Sequence, residues 1–242
     1  MKKILLLFAL LFSVMAFAQP GDDDVEYYTD SRVKHSRWSI AANLYPNYTD
    51  RRLINNEVPS GGGFNLPNED AQGAFQLNYG LDFFYSIGSA FDVGIGIGRA
   101  AGNFSVDNVM LYQGRTDTTL AKMEVGVSMY TVPLKLNFNT AITDILDLEV
   151  VPTVELNFVD KYDQTFTPRN ENSFTNNLKD RTQSTNWSVG IGLGGTFNVT
   201  EEWGVIVRGN IKYMLNPLIE ADNFPRETLI SYGAVVGLKY KF

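Results

Sequence analysis

No cysteine occurs in the 242-residue sequence, and histidine occurs once, at position 35. The first absence excludes a disulfide framework, a thiol nucleophile and a lipidated cysteine. The second leaves no Ser-His-acid set, because His35 precedes the first strand pattern and stands apart from any cluster of nucleophiles. An enzyme is therefore not expected, and neither is a metal or cofactor site. Long apolar runs are also missing beyond the first residues. Lys2 and Lys3, an apolar run from Ile4 to Phe12, and Ala16-Phe17-Ala18 before Gln19 have the layout of a secretory signal peptide cleaved after Ala18. That run is too short to cross a bilayer as a helix. Cleavage would remove two of the 20 basic residues and none of the 27 acidic ones, moving the formal charge from −7 to −9. So acidic a chain is not expected to bind nucleic acid.

Residues 19–37 are polar and acidic, with Asp22, Asp23, Asp24 and Glu26 close together. Hard cations favour such oxygens, but no glycine-turned loop accompanies them, and a solvated periplasmic leader is the reading adopted. From Trp38 the pattern changes to strict alternation. The last stretch shows it best: Ile230, Tyr232, Ala234, Val236, Leu238, Tyr240 and Phe242 are apolar, while Ser231, Gly233, Gly237, Lys239 and Lys241 are small or charged. The bulk is on one face and the glycines on the other, the reverse of a soluble barrel whose interior must be filled. The apolar face is therefore expected to meet lipid.

Similar stretches run from Trp38 to Tyr45, ending at Pro46, and from Phe75 to Tyr85, Phe91 to Gly98, Met123 to Phe138, Leu148 to Phe158, Trp187 to Leu193 and Val205 to Tyr213. In the fourth, Met123, Val125, Val127 and Met129 are expected to face outward, but from Val132 the apolar set moves to the other parity, with Val132, Leu134, Leu136 and Phe138, which predicts a β-bulge beside Pro133. Long loops are expected at 47–74, 100–121, 159–184 and 214–227, alternating with short turns. The fold class expected is all-β: a closed up-and-down antiparallel transmembrane β-barrel of about eight strands over residues 38–242, with both termini periplasmic.

Aromatic residues cluster at strand ends, where rings with a polar edge favour the headgroup level. Trp38, Tyr85, Phe91, Phe138, Phe197 and Trp203, with Tyr240 and Phe242, should form a girdle beside the short turns. Tyr45, Phe75, Phe158, Trp187 and Tyr213 should form the other. The inward parity predicts a lumen charge network of Asp82, Asp92, Glu124, Lys135, Asp147, Glu149, Glu155, Arg208, Lys212, Lys239 and Lys241, with Lys122 beside it. Confined charges need partners, so these should pair and plug the lumen. Gly190-Ile191-Gly192-Leu193-Gly194-Gly195 matches a dinucleotide-binding fingerprint, but no helix pattern follows and the glycines read as lumen positions.

The Val132-Pro133-Leu134-Lys135-Leu136 segment and the closing Leu238-Lys239-Tyr240-Lys241-Phe242 resemble the outer-membrane β-barrel domain family of Bacteroidetes type, which includes PorT-like proteins. The build is also similar to the OmpA and OmpX transmembrane domains. This resemblance implies outer-membrane lipid as surroundings and the barrel-assembly machinery as a partner during insertion, with Leu238, Tyr240 and Phe242 as its signal. It also makes Thr118, in Asp117-Thr118-Thr119, a candidate for O-glycosylation. Three roles follow as expectations: a structural or interaction barrel of the cell envelope with a plugged lumen and an envelope partner on its loops, an accessory subunit of a secretion machine, or a small gated channel.

Overall fold

The computed structural model describes residues 37–55, 64–65, 71–88, 90–113, 117–169, 172–219 and 226–242. The expected signal peptide and all of the acidic leader but Arg37 lie outside these. Eleven strands follow in order: β1 (Trp38–Asn55), β2 (Phe64–Asn65), β3 (Ala71–Ser86), β4 (Phe91–Ala101), β5 (Phe104–Gln113), β6 (Asp117–Thr143), β7 (Leu146–Pro168), β8 (Phe174–Asn177), β9 (Thr185–Asn198), β10 (Trp203–Met214) and β11 (Arg226–Lys241). Among the described residues, a 3-10 turn, Lys179–Arg181, precedes β9.

Eight of these strands close a ring by antiparallel pairing, in the order β1, β3, β4, β6, β7, β9, β10, β11 and back to β1. The ring closes where Ser39 pairs with Lys241 and Ile40 with Tyr240. Closure removes every edge from this part of the wall, as a barrel in lipid requires. On the outside stand Leu81, Ile95, Ile97, Leu134, Leu193 and Leu238, all exposed, while Asp82, Lys135, Glu149 and Arg208 are buried inside. An apolar exterior around a polar interior is the arrangement of a transmembrane barrel.

The long loops are where structure and expectation part. Pro46 does not end β1; the pairs Leu44 with Val236 and Asn47 with Gly233 keep one register across it, so a single lost N–H is tolerated. The stretch 100–121 is mostly a hairpin. β5 continues the line of β4 along β6, with Ala101 opposite Ser128 and Phe104 opposite Val125. β7 runs on to Pro168 and pairs with the short β8. β6 has 27 residues and β7 has 23, against the roughly 9–11 that a tilted strand needs to cross a bilayer. The wall therefore stands well beyond the membrane band at the end away from the short turns.

No phase slip occurs at Pro133. Every odd position of β6 from Ala121 to Asn137 is buried, so Met123, Val125, Val127 and Met129 face inward and Val132, Leu134 and Leu136 outward in one unbroken alternation. The bulge lies instead in β7: Ser128 pairs with Lys161 and Met129 with Val159, which leaves Asp160 as the extra residue. The cause is a change of solvent along the wall. Beyond the membrane the outside is water, so apolar side chains turn to the inside. There Phe104, Val106, Val109, Met123, Val127, Phe166 and Leu229 form one buried cluster.

Candidate functional site

The interior has two storeys, which the girdle and the protruding wall define. In the lower storey the charges pair across the lumen. Lys135 Nζ on β6 is 2.5 Å from Asp82 Oδ2 on β3 and donates at 2.9 Å to the Tyr45 hydroxyl of β1, while Asn43 Nδ2 donates to the same carboxylate at 2.6 Å. Arg208 Nη1 on β10 lies 3.1 Å from Glu149 Oε2 on β7. Lys239 Nζ on β11 reaches Asp92 at 3.4 Å and Glu149 at 4.0 Å. Asn137 donates to both Asp92 and Glu149, and the Thr196 hydroxyl donates to Glu149 at 2.7 Å. Slightly higher, Lys212 Nζ is 2.7 Å from Glu155 Oε1. Four cations thus meet four anions, each bridge spanning different strands, and shared amides and hydroxyls add hydrogen bonds to Asp82, Asp92 and Glu149, while Arg208 Nε and the Asn43 and Asn137 amide oxygens stay buried without a partner.

Two glycines of the wall make room for these groups. A Cβ on Gly96 would strike Asp82, and one on Gly194 would strike Arg208 and the Val207 carbonyl. Gly190, Gly192 and Gly194 lie on β9 with Val189, Ile191 and Leu193 on the outside, and no helix follows. Their spacing therefore serves close side-chain approach in a narrow tube, not a pyrophosphate turn. Among the described residues, a cavity of about 60 Å³ remains between Tyr45, Asp82, Lys135, Glu155, Arg208 and Lys212. That is room for a few waters at roughly 10–15 Å³ each, not for a continuous pore.

The remaining expected residues fall in three places. Asp147 accepts from Asn198 at 2.9 Å and Lys241 donates to Asn198 at 3.0 Å, so both sit at the rim beside the short turns. Glu124 is a correction: it stands outside, more than half exposed, 2.8 Å from Lys122 on the same face of β6. It lies beyond the membrane, where even positions of β6 face water. Tyr45 is a second correction, since it points into the lumen instead of joining the outer girdle. The Thr118 side chain lies outside the described ones.

At the lower end Trp38 packs on Tyr85 at 4.9 Å between ring centroids, Phe91 on Phe138 at 5.1 Å, Trp203 on Tyr240 at 4.8 Å and Tyr240 on Phe242 at 5.2 Å. Phe197 is exposed on the same side. Leu238 is exposed beside them, so Leu238 and Tyr240 of β11 and Phe242 just past its end form an outward row.

The upper storey carries a polar cluster that the alternation did not reveal. Glu227 of β11 accepts from the Tyr162 hydroxyl of β7, which also accepts from Gln164 at 3.3 Å, and Arg51 of β1 lies 3.7 Å from Glu227. Arg51 also lies over the Phe104 ring, 5.7 Å from its centroid. Burial pushes the Tyr162 hydroxyl well above its ordinary value, and Glu227 adds to this. Burial also raises the Glu227 carboxyl, against the opposing pull of Tyr162 and Arg51. Leu218 and Ile219, from the segment after β10, are fully buried above this cluster. The Leu218 amide donates to the Glu227 carbonyl, and Gln183 donates to the Leu218 carbonyl, which ties the β7–β9 connection into the same cap. The signal for this cluster was present as Arg51 and Glu227, but both fell in stretches read as loop.

No protein-family model matches the chain, and no curated protein is similar to it in sequence. Among solved structures, the chain is similar to Neisserial surface protein A, with 11% identity over 87% of this chain and 100% of that one and a TM-score of 0.43. It is also similar to a major outer membrane protein from Thermus thermophilus (12% identity, 85% and 98% coverage, TM-score 0.45) and to the outer membrane protein OprG from Pseudomonas aeruginosa (16%, 86% and 97%, TM-score 0.38). At these identities and scores the likeness assigns no function.

Proposed function

We propose that this chain is an outer-membrane barrel with a structural or interaction role in the cell envelope, exported by its first 18 residues and closed to free passage of solutes. The observation that supports the closed state is the lumen, where Lys135–Asp82, Arg208–Glu149, Lys239–Asp92 and Lys212–Glu155 pair across the interior and leave a cavity of about 60 Å³ among them. An interior of about eight strands is just wide enough to be filled by side chains. The protruding wall supports the interaction role, because its own apolar core makes it a firm platform for a partner. In this reading the termini are periplasmic and the mouth faces outward.

The test combines three measurements on the native protein. Membrane fractionation should recover it in the outer membrane, and its intact mass should begin at Gln19. In planar bilayers the barrel should give no steady conductance, whereas Arg208→Ala, which leaves Glu149 with only the more distant Lys239 as its cation, should be less stable and give intermittent current. Steady current from the unaltered barrel would replace this reading with that of a channel, and Arg208→Ala with neither effect would remove the plug as its basis. A crosslinked pull-down from native membranes then separates a self-contained barrel from an accessory subunit of a secretion machine of the PorT-like kind. One stoichiometric large assembly would favour the subunit, and the barrel alone the self-contained protein.

A further inference from the structure

The lipid-facing wall carries a charge that closure of the barrel does not need. Arg99 stands on β4 in the outward parity, beyond Val93, Ile95 and Ile97, with Tyr79 and Tyr130 as its cross-strand neighbours. Its Nη1 donates to the Tyr130 hydroxyl at 2.9 Å, and its Nη2 donates to Ser128 Oγ at 2.9 Å and Asp160 Oδ2 at 3.0 Å. The guanidinium also lies over the Tyr130 ring, 4.9 Å from the centroid. Asp160 is the bulged residue of β7, so the bulge itself supplies the carboxylate that holds the fork in place. Both side chains remain more than a third exposed, at 37% and 36%. A guanidinium has more donors than these contacts use, and its planar fork suits a phosphate.

Directly beneath, toward the membrane centre, the same face opens into an apolar hollow of about 990 Å³, walled by Leu44, Leu81, Ile97, Val132 and Leu238. Its floor is Ala42, which pairs with Leu81 on one side and Leu238 on the other and is too small to fill the gap between them. A fixed cation at the membrane edge above an apolar slot has the polarity of a lipid, head outward and tail inward.

We propose that Arg99 and this hollow bind one phosphodiester-linked lipid of the leaflet at the mouth end, its phosphate on Arg99 and an acyl chain along Ala42. Asp160 narrows the choice: a carboxylate 3.0 Å from the guanidinium disfavours a dianionic phosphomonoester and leaves room for a headgroup ammonium. The inference rests on the membrane placement proposed above, and the experiment keeps the two apart.

Mature barrel in detergent is titrated with phosphatidylethanolamine, phosphatidic acid and diacylglycerol of the same acyl chains, and bound lipid is counted by native mass spectrometry. Insertion into phosphatidylcholine nanodiscs and unboiled gel mobility serve as controls. Failure of the unaltered chain to insert would overturn the membrane reading and this inference with it. The expected result is one retained phosphatidylethanolamine, held more tightly than phosphatidic acid or diacylglycerol. Arg99→Gln should weaken it by about tenfold or more, the loss of a charge-assisted contact. Ala42→Leu, which fills the slot without touching the charge, should weaken it as well. Diacylglycerol bound as tightly as phosphatidylethanolamine, or a folded Arg99→Gln barrel that binds like the unaltered one, would overturn the site while leaving the barrel reading intact.

Discussion

Lys135 and Asp82 meet at 2.5 Å although their strands are not neighbours: β4 lies between them, and Gly96 of β4 leaves the space through which they join. Both are almost fully buried. The consequence is an asymmetry between breaking this pair and replacing it. Lys135→Met should destabilise the barrel by about 3–5 kcal/mol by leaving Asp82 charged and confined, whereas Lys135→Met with Asp82→Leu should recover most of the loss. Urea unfolding followed by tryptophan fluorescence in lipid vesicles measures both. Equal losses in the single and double variants would mean that the pair is not a unit.

The glycines of β9 give a second prediction. A Cβ at Gly194 runs into the Val207 carbonyl and Arg208, while one at Gly126 finds only Asn103 Oδ1 at 3.9 Å. Gly194→Ala should therefore impair folding markedly and Gly126→Ala should not. The yield of the fast-migrating folded form in an unboiled gel reads this directly. Removing the Arg208 side chain as well should not rescue Gly194→Ala, because part of the clash is with backbone.

The protruding storey should behave as a separate unit of stability. Met123 is fully buried in its apolar cluster. Met123→Ala should cost about 2–5 kcal/mol and raise hydrogen exchange over β5 and the outer half of β6, leaving exchange in the membrane band unchanged. Glu124→Val, one residue away but on the wet face, should leave exchange as it was.

Glu227 should make the mouth sensitive to pH. Burial raises its carboxyl above the unfolded value of 4.5, so the protonated form is the one folding favours. The cap is then firmest below that value and weakens as pH rises through the interval up to the raised folded value. Exchange at Leu218 and Tyr162, corrected for its intrinsic pH dependence, should rise over that interval. Glu227→Gln should flatten the profile, since no charge remains to be buried. An unchanged profile in the variant would assign the pH dependence elsewhere.

Much of this molecule is legible in its sequence, because a transmembrane barrel is written in a period of two. The parity of Leu77, Tyr79, Leu81 and Phe83 against Gln76, Asn78 and Asp82 suffices to place a strand, choose its lipid face and list the charges that must share the lumen. The pairing of those charges was not legible. Asp82 finds Lys135 across an intervening strand because shear brings different heights together, and shear is a property of the closed ring.

Alternation says that two faces differ but not which of them is wet. Met123, Val125, Val127 and Met129 read as a lipid-facing stripe, and the change of parity after them read as a bulge at Pro133. The strand in fact continues without a slip, and it is the solvent outside that changes. Alternation along the chain is enough to require a wall of strands that closes around a polar lumen. How far that wall stands above the membrane is set by the closed ring, because the height at which apolar side chains turn from lipid to an inner core depends on eight strands arriving together. The same closure placed Arg99 beside Asp160, two charges 61 residues apart in the chain that are joined only when β4, β6 and β7 lie side by side.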